Sequence, residues 1–384
     1  MPMATSPQAG AILEIDLAAL AANYQILSDG TGAAECAAAV KADAYGLGAE
    51  RVGPMLARLG CRTYFVAHLG EGVLLRQILG SKPAVYILHG PWPNEEDAFL
   101  AHALTPVLNT TEQLERWAGK ARLHGRPLAA ALHVDTGMNR LGLTPAEAAA
   151  LAAAPERLAG IDLRFLVSHL ACADQRGHAL NLAQRELFDF LRAAFPPCAA
   201  SLANSSGIFL GAGYHYDLVR PGAALYGVNP TPGQPNPMQE VVRLRARILQ
   251  VREIDTSQSV GYGATHRAMG PRRIATVPLG YADGYPRSLS GQGMGCLAGV
   301  SVPIVGRVSM DLITLDVTGV PPAAAHPGAT IDLIGGGSES IDAVAGRAGT
   351  IGYEILTSLG RRYDRRYVRA AAGDGAGAGG AGSV

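Results

Sequence analysis

Asn229–Gln239 reads NPTPGQPNPMQ, with prolines at 230, 232, 235 and 237. Proline has no amide proton and a fixed φ, so such a stretch supports neither a helix nor an inner strand. The chain changes character across it. On the N-terminal side short apolar runs alternate with longer segments: AILEID (11–16), CAAAVKA (36–42), TYFVA (63–67), AVYIL (84–88), TPVL (105–108), LAAALHVDT (128–136), LRFLVSHL (163–170), ASLANS (200–205) and YDLVR (216–220). Segments between them, such as LAALAANYQIL and LAQRELFDFLRAAF, space Leu and Phe to suit one buried helix face. Strand, helix, strand, repeated about eight times, is the pattern of a parallel (β/α)8 barrel, although an open doubly wound sheet alternates in the same way. On the C-terminal side VVRLRARILQVREI, RRIATVPLG, CLAGVSVPIVG, VSMDLITLDVTG and TIDLIG are β-rich with turn residues between them.

The expected organisation is an α/β barrel over residues 10–236 and a mostly-β domain over 237–370. Residues 371–384 are too poor in bulky apolar groups to pack, and are expected to be a disordered tail. A chain of 384 residues exceeds the size at which one core usually stops growing, which agrees with two domains.

Lys plus Arg and Asp plus Glu are balanced at 32 each, with no long run of one sign to suit a nucleic acid or an anionic membrane. The first twenty residues lack a basic segment, and Glu14 and Asp16 interrupt their apolar positions, so they do not read as a secretory signal. No stretch approaches the roughly 20 apolar residues of a membrane span. A cytoplasmic protein is expected. Cys36, Cys61, Cys172, Cys198 and Cys296 are odd in number and scattered without a CxxC pair, which argues against a disulfide framework and a thiolate metal site. His169 and Cys172 have HxxC spacing, but no second ligand pair accompanies them and no metal is expected.

A parallel barrel carries its chemistry where strands end, on the C-terminal face. Lys41, Arg140, His169, Asn204, Ser205 and Arg220 all fall at or just after such ends. A lysine there ordinarily keeps its ammonium in water; if largely buried instead, its pKa falls and it becomes a nucleophile able to form a Schiff base with an aldehyde. Arg220, before Pro221 and Gly222, would ordinarily pair with a carboxylate. Facing the nitrogen of a pyridine cofactor, a permanently charged guanidinium would keep that nitrogen unprotonated and limit its pull on electrons. Gly222 lets backbone N–H groups approach a phosphate, and Ser205 could add a hydroxyl. Tyr262, between Gly261 and Gly263 in the β-rich half, would ordinarily be a turn or interface residue; a reaction that removes a proton from one face of a planar centre and returns one to the other would need a second base of this kind beside Lys41. Lysine and tyrosine have ordinary pKa values near 10, so both would need lowering to act as bases at neutral pH.

The ordered string VKADAYGLG, HVDTGMNRLG, SHLACAD, LANSSG, RPGAALYG, GYGAT, PLGYADGYPR, GRVSMDL and GYEILTSLGRR resembles the alanine racemase family over roughly residues 11–368. That resemblance implies pyridoxal 5′-phosphate as cofactor and alanine as substrate. It implies that Lys41 is the Schiff-base lysine and the base for the D-enantiomer, with Tyr262 the base for the L-enantiomer and His169 linking Arg220 to that tyrosine. Tyr45, Asn204, Ser205, Gly222, Ala223 and Tyr353 are similar to cofactor-holding positions, and Arg220 to the arginine on the pyridine nitrogen. Arg140 matches the arginine that positions the substrate carboxylate, Met310 and Asp311 resemble a pair lining the substrate side, and Tyr281 resembles the tyrosine at the narrow mouth, near which Glu354 is also expected. The resemblance further implies a homodimer in which the β domain of one subunit completes the site of the other.

One departure stands out. Many members carry a carbon dioxide-modified lysine two residues before the Asp of DTGM, where it orients the arginine matching Arg140; this chain has His133, whose imidazole forms no stable carbamate. Three other activities fit parts of the pattern: a racemase of broader specificity acting on serine or other small amino acids, a pyridoxal-phosphate decarboxylase, and a barrel protein that handles the cofactor without turnover. The β-rich half containing GYGAT and GRVSMD disfavours the last, and Arg220 disfavours decarboxylation, which benefits from a strong electron sink.

Overall fold

A computed structural model describes residues 10–336 and 339–368; the tail expected at 371–384 lies outside them. Seven short strands, Ala38–Ala39, Thr63–Val66, Ala84–Ile87, Thr105–Leu108, Leu128–His133, Ile161–Val167 and Ala199–Ser201, pair in sequence order, each pair parallel. An eighth, Leu218–Val219, runs parallel to Glu35–Cys36, immediately upstream of the first. It reaches the seventh through Asp217 N–H to Ala200 O (3.1 Å) and Arg220 N–H to Ala203 O (2.9 Å). The sheet thus closes on itself, which selects the barrel over the open doubly wound alternative.

Side chains alternate across each strand, so every second residue points inward. The inward set Ala37, Ala39, Phe65, Tyr86, Val107, Ala131, Val167 and Leu218 packs as one buried cluster. Their neighbours Tyr64, Val66, Val85, Ile87, Leu108, Leu132 and Leu166 face the surrounding helices in the larger core. The helices start where polar side chains replace missing backbone partners. Asp16 Oδ1 accepts from Ala18 N (2.8 Å) and Ala19 N (2.9 Å) at the head of Leu17–Asp29, and Thr144 with Glu147 boxes the start of Pro145–Ala152.

The first apolar run is the exception to the expected barrel pattern. AILEID is a strand, Ala11–Asp16, yet it lies in the six-stranded sheet of the C-terminal half, antiparallel to Val242–Arg247 and parallel to Asp364–Val368. Of the nine runs that alternate with helices, the remaining eight are the barrel. Beyond the proline-rich stretch the chain is mostly β as expected. Its six-stranded sheet is joined by a three-stranded one of Gln250–Ile254, Arg272–Val277 and Ile313–Asp316, and by two late helices, Ile341–Ala348 and Gly352–Ser358. Among the described residues no helix is long and apolar enough to cross a membrane.

Candidate active site

The inward residues Ala39, Phe65, Val107 and Val167 form the apolar floor of a cavity of about 670 Å³ at the C-terminal mouth of the barrel. That volume falls in the range of roughly 300–1,000 Å³ usual for small-molecule sites. Lys41, Tyr45, Arg140, His169, Asn204, Ser205, Arg220, Gly222, Ala223 and Tyr353 all line it. Ten of the expected site positions are therefore brought together from segments far apart in sequence.

Lys41 sits at the start of an unusual turn. Ala42, Asp43, Ala44 and Tyr45 all have φ between 52° and 55°, a left-handed conformation that costs an L-residue roughly 1–2 kcal/mol. The surroundings impose it. Ala44 N–H donates to Val40 O (2.9 Å), Gly46 N–H to Ala42 O (2.7 Å) and Gly48 N–H to Asp43 O (2.8 Å). Asp43 Oδ1 accepts from Ala49 N (2.8 Å), and Glu71 accepts from Ala42 N (2.6 Å), Ala67 N (2.7 Å) and His68 N (3.1 Å). Burial lowers the Lys41 pKa and the Arg140 cation lowers it further, against a smaller opposing pull from Glu71. The amine is held toward its neutral, nucleophilic form.

Arg220 is buried. It donates to Ser201 Oγ, to Ser168 O (2.5 Å) and to Leu202 O (3.4 Å), and lies 3.5 Å from His169 Nδ1. Burial brings its pKa down to about 10, which leaves the guanidinium charged at neutral pH. Burial and then the Arg220 and Arg140 cations depress His169 well below the usual imidazole range, so it is neutral. His133 is likewise lowered to about 4, by burial first and Arg220 next. Its Nδ1 lies 2.8 Å from Asn109 Oδ1, while Asn109 Nδ2 donates to Leu88 O and Val107 O (2.9 Å each). The amide orientation makes Oδ1 the acceptor, so His133 carries its proton on Nδ1 and presents a bare Nε2.

Ser205 Oγ accepts from Gly222 N (2.9 Å) and Ala224 N (3.2 Å). With its lone pairs engaged, its hydroxyl hydrogen is available for an anion. A side chain at Gly222 would collide with Tyr45 Oη, so the glycine leaves a cradle between hydroxyl and backbone. Asn204 caps the next turn through Gly207 N (2.9 Å). The Tyr45 ring lies tilted against Tyr226, centroids 4.8 Å apart, and 6.1 Å from Tyr353, which arrives from the C-terminal helix Gly352–Ser358 together with Glu354 and Thr357. A buried cation, a reactive amine and an anion cradle around an apolar floor fit a flat, phosphorylated heteroaromatic aldehyde.

Tyr262, Tyr281, Met310 and Asp311 do not line this cavity. Tyr262 is 73% exposed, Met310 53% and Tyr281 42%. Their loops touch one another: Tyr281 N–H donates to Ser309 O (3.1 Å), Ala282 N–H to Met310 O (3.0 Å), and the Tyr262 turn packs on Gly306–Arg307. Arg362 ties Asp311 (2.8 Å) to Asp283 (3.1 Å). They make one exposed face of the β half.

His89 also lines the cavity, and its Nδ1 lies 3.2 Å from Nδ1 of His68. Sequence reasoning passed over this pair and over Glu71 and Asn109. The histidines do carry the signal used for the others, since each follows a barrel strand by two residues.

The fold and cavity define a barrel-plus-β-domain protein that holds a small anionic ring beside a reactive amine. Models of the alanine racemase N-terminal and C-terminal domains match residues 15–230 and 241–367. Alanine racemases of Rhodospirillum rubrum and a Methylobacterium species are each 54% identical, covering 95% of this chain and 98% and 99% of theirs. A catabolic alanine racemase of Mesorhizobium japonicum is 50% identical, with 94% of each chain covered. The crystal structure of alanine racemase from Bartonella henselae with covalently bound pyridoxal phosphate superposes with a TM-score of 0.91 at 39% identity, covering 94% of this chain and 100% of that one. The chain belongs to the alanine racemase family.

Proposed function

We propose that this chain interconverts L- and D-alanine with pyridoxal 5′-phosphate in the barrel cavity, Lys41 and Tyr262 acting as bases on opposite faces of Cα. The observation that carries the reading is the convergence of a pKa-lowered Lys41, a buried Arg220 and the Ser205–Gly222 cradle on one cavity. Tyr45, Asn204, Ser205, Gly222, Ala223 and Tyr353 would hold the phosphate end, with Arg220 toward the ring nitrogen. Bound cofactor supplies an aldehyde for the amine and an electron-withdrawing ring that acidifies Cα–H. Lys41 then takes or returns the proton on one face. Arg140, which makes no ion pair among the described residues, would bind the substrate carboxylate. Arg220, held charged by three protein acceptors, keeps the ring a modest sink and so favours return of a proton to Cα over loss of carbon dioxide. His169 couples Arg220 to the second base.

That second base is read as coming from a partner subunit. Tyr262, Tyr281, Met310 and Asp311 share an exposed face outside the lining of their own cavity, and a two-fold pair could place each such face over the other chain's barrel. The domains then divide the work: residues up to 236 carry the first base and most of the cofactor-holding groups, Tyr353 joining them from the later half, and residues from 237 lend the second base. A cytoplasmic location accords with five unpaired thiols. The test is Tyr262→Phe in the cofactor-loaded protein. It should retain the visible absorbance, reducible by borohydride onto Lys41, while interconversion of alanine falls by about 10²–10⁴-fold. Full racemisation by this variant would remove Tyr262 as a base, and faster turnover of serine, or carbon dioxide release outpacing inversion, would move the substrate or the reaction class.

A further inference from the structure

Removing a proton at one face and supplying one at the other leaves the two bases unbalanced. After each conversion from D to L, Lys41 holds one proton more than before and Tyr262 one fewer. Lys41 must therefore exchange protons with solvent between turnovers, and most polar groups around it are engaged. Both oxygens of Glu71 accept backbone N–H groups. His133 is fixed through Nδ1 by Asn109, and His169 is half-buried with its Nδ1 beside the Arg220 guanidinium. An arginine guanidinium does not serve as a proton carrier, which sets Arg140 aside. His89 remains, a ring that lines the cavity, is itself exposed, and pairs with the exposed His68.

We propose that His89 and His68 form a two-imidazole wire that carries protons between the Lys41 amine and bulk water. The proposal rests on the reading of Lys41 as one of the two bases. An Nδ1–Nδ1 separation of 3.2 Å requires one ring to donate and the other to accept, and it leaves an Nε2 at each end of the pair. The transfer balances: the Lys41 ammonium gives a proton to His89 Nε2, directly or over one water; His89 Nδ1–H passes to His68 Nδ1; His68 Nε2–H leaves to solvent. Both rings end neutral with their tautomers exchanged, and the reverse passage reloads the amine.

The backbones that carry the two rings are fixed. Gln113 Nε2 donates to His89 O (2.9 Å), and His89 N–H donates to Ala67 O (3.2 Å), extending the ladder between the two strands past their ends. Glu71 fixes the His68 backbone and, through Ala42 N, the turn that carries Lys41. The rings meet edge to face at 86° with centroids 4.5 Å apart. The charged groups acting on His89 are His68, Lys41, Glu71 and Arg140; burial and the three cationic or ionisable neighbours lower its pKa, so at neutral pH it is a carrier rather than a standing cation. Among the described residues no cluster of three or more His, Cys, Asp or Glu forms here, which makes the pair a poor chelate.

The experiment starts the cofactor-loaded protein on D-alanine in heavy water and measures deuterium at Cα of the recovered D-alanine for each L-alanine formed. His89→Ala and His68→Gln should lower that ratio by roughly threefold over repeated turnovers, because protium delivered from Cα accumulates among the three hydrogens of the Lys41 ammonium when solvent replaces it slowly. Added imidazole should restore it in His89→Ala. A second readout needs no cofactor: in the apoprotein, NMR titration of the imidazole C–H signals should show His89 and His68 titrating as a coupled pair, with His89 moving upward in Lys41→Met. Unchanged exchange in both histidine variants, or a His89 titration indifferent to Lys41, overturns the wire. Stoichiometric zinc binding lost in both variants overturns it in favour of a metal site. Wild-type protein that racemises with no solvent deuterium at Cα fails the two-base reading itself.

Discussion

Arg220 and Tyr262 stand at opposite extremes of context, and substitutions should separate them. Arg220 is buried and feeds Ser201 Oγ, Ser168 O and Leu202 O. Lysine offers one ammonium where the planar fork serves several directions at once, so Arg220→Lys leaves at least one buried carbonyl unpaired. The expected loss is roughly 1–3 kcal/mol, read as a lower urea midpoint. Tyr262→Phe removes a hydroxyl from a largely exposed ring, and its midpoint should move by less than about 0.5 kcal/mol equivalent although activity collapses. His133 adds a pH signature. Its pKa is about 4 in the folded chain against an ordinary 6.5, so the unfolded chain binds the proton more readily and acid favours unfolding. Its contribution is complete above pH 6.5 and is lost as pH falls toward 4, about 3 kcal/mol in all. Thermal midpoints of His133→Gln, followed from pH 7.5 to 4.5, should fall less steeply than those of wild type. Parallel curves would assign the acid sensitivity elsewhere. That Lys41, Arg220 and Ser205 would meet at one cavity was legible because each falls at a strand end of the barrel; the tautomer of His133 was not, since it depends on Asn109 from a neighbouring strand end.

At the level of elements, what could be read from the chain divides along the reach of the forces involved. Eight strand–helix alternations and the β-rich remainder follow from local spacing, and both stand in the folded protein. AILEID has the same local signature as the barrel strands, an apolar run followed by a capped helix, but its neighbours are Val242–Arg247 and Asp364–Val368. No local pattern reports such distant partners. The turn after Lys41 escaped for a related reason: Ala42, Asp43, Ala44 and Tyr45 include no glycine and read as ordinary helix formers, while Glu71 and the Asp43–Ala49 bond hold them left-handed. Ala42 is exposed, which permits a direct test. In a right-handed helix Ala42→Gly would cost about 1 kcal/mol; in the left-handed turn, relief of Cβ crowding should stabilise the fold by up to about 1 kcal/mol. A raised denaturation midpoint supports the left-handed turn, and a lowered one contradicts it.

On the proposed reading, one chain alone does not complete the site, because Tyr262 does not line the cavity that holds Lys41. The barrel gathers Lys41, Arg220 and Ser205 around one cavity, the helix Gly352–Ser358 adds Tyr353 to its lining, and Tyr262, Tyr281, Met310 and Asp311 lie exposed outside that lining. No property of the sequence could place Tyr262 relative to the Lys41 it would work with, because side-chain chemistry does not reveal which copy supplies it. Mixing variants does. Lys41→Ala and Tyr262→Phe should each be inactive alone. If the site is shared, a hybrid dimer has one site carrying both substitutions and one carrying neither, so it regains half its capacity. Random re-pairing of equal amounts after mild dissociation makes about half the dimers hybrid and should return about a quarter of wild-type activity. If Tyr262 serves its own chain, every site in the hybrid carries one substitution and the mixture stays inactive. The same samples should show that recovered activity grows as subunits exchange, at the rate measured by mixing differently labelled wild-type chains.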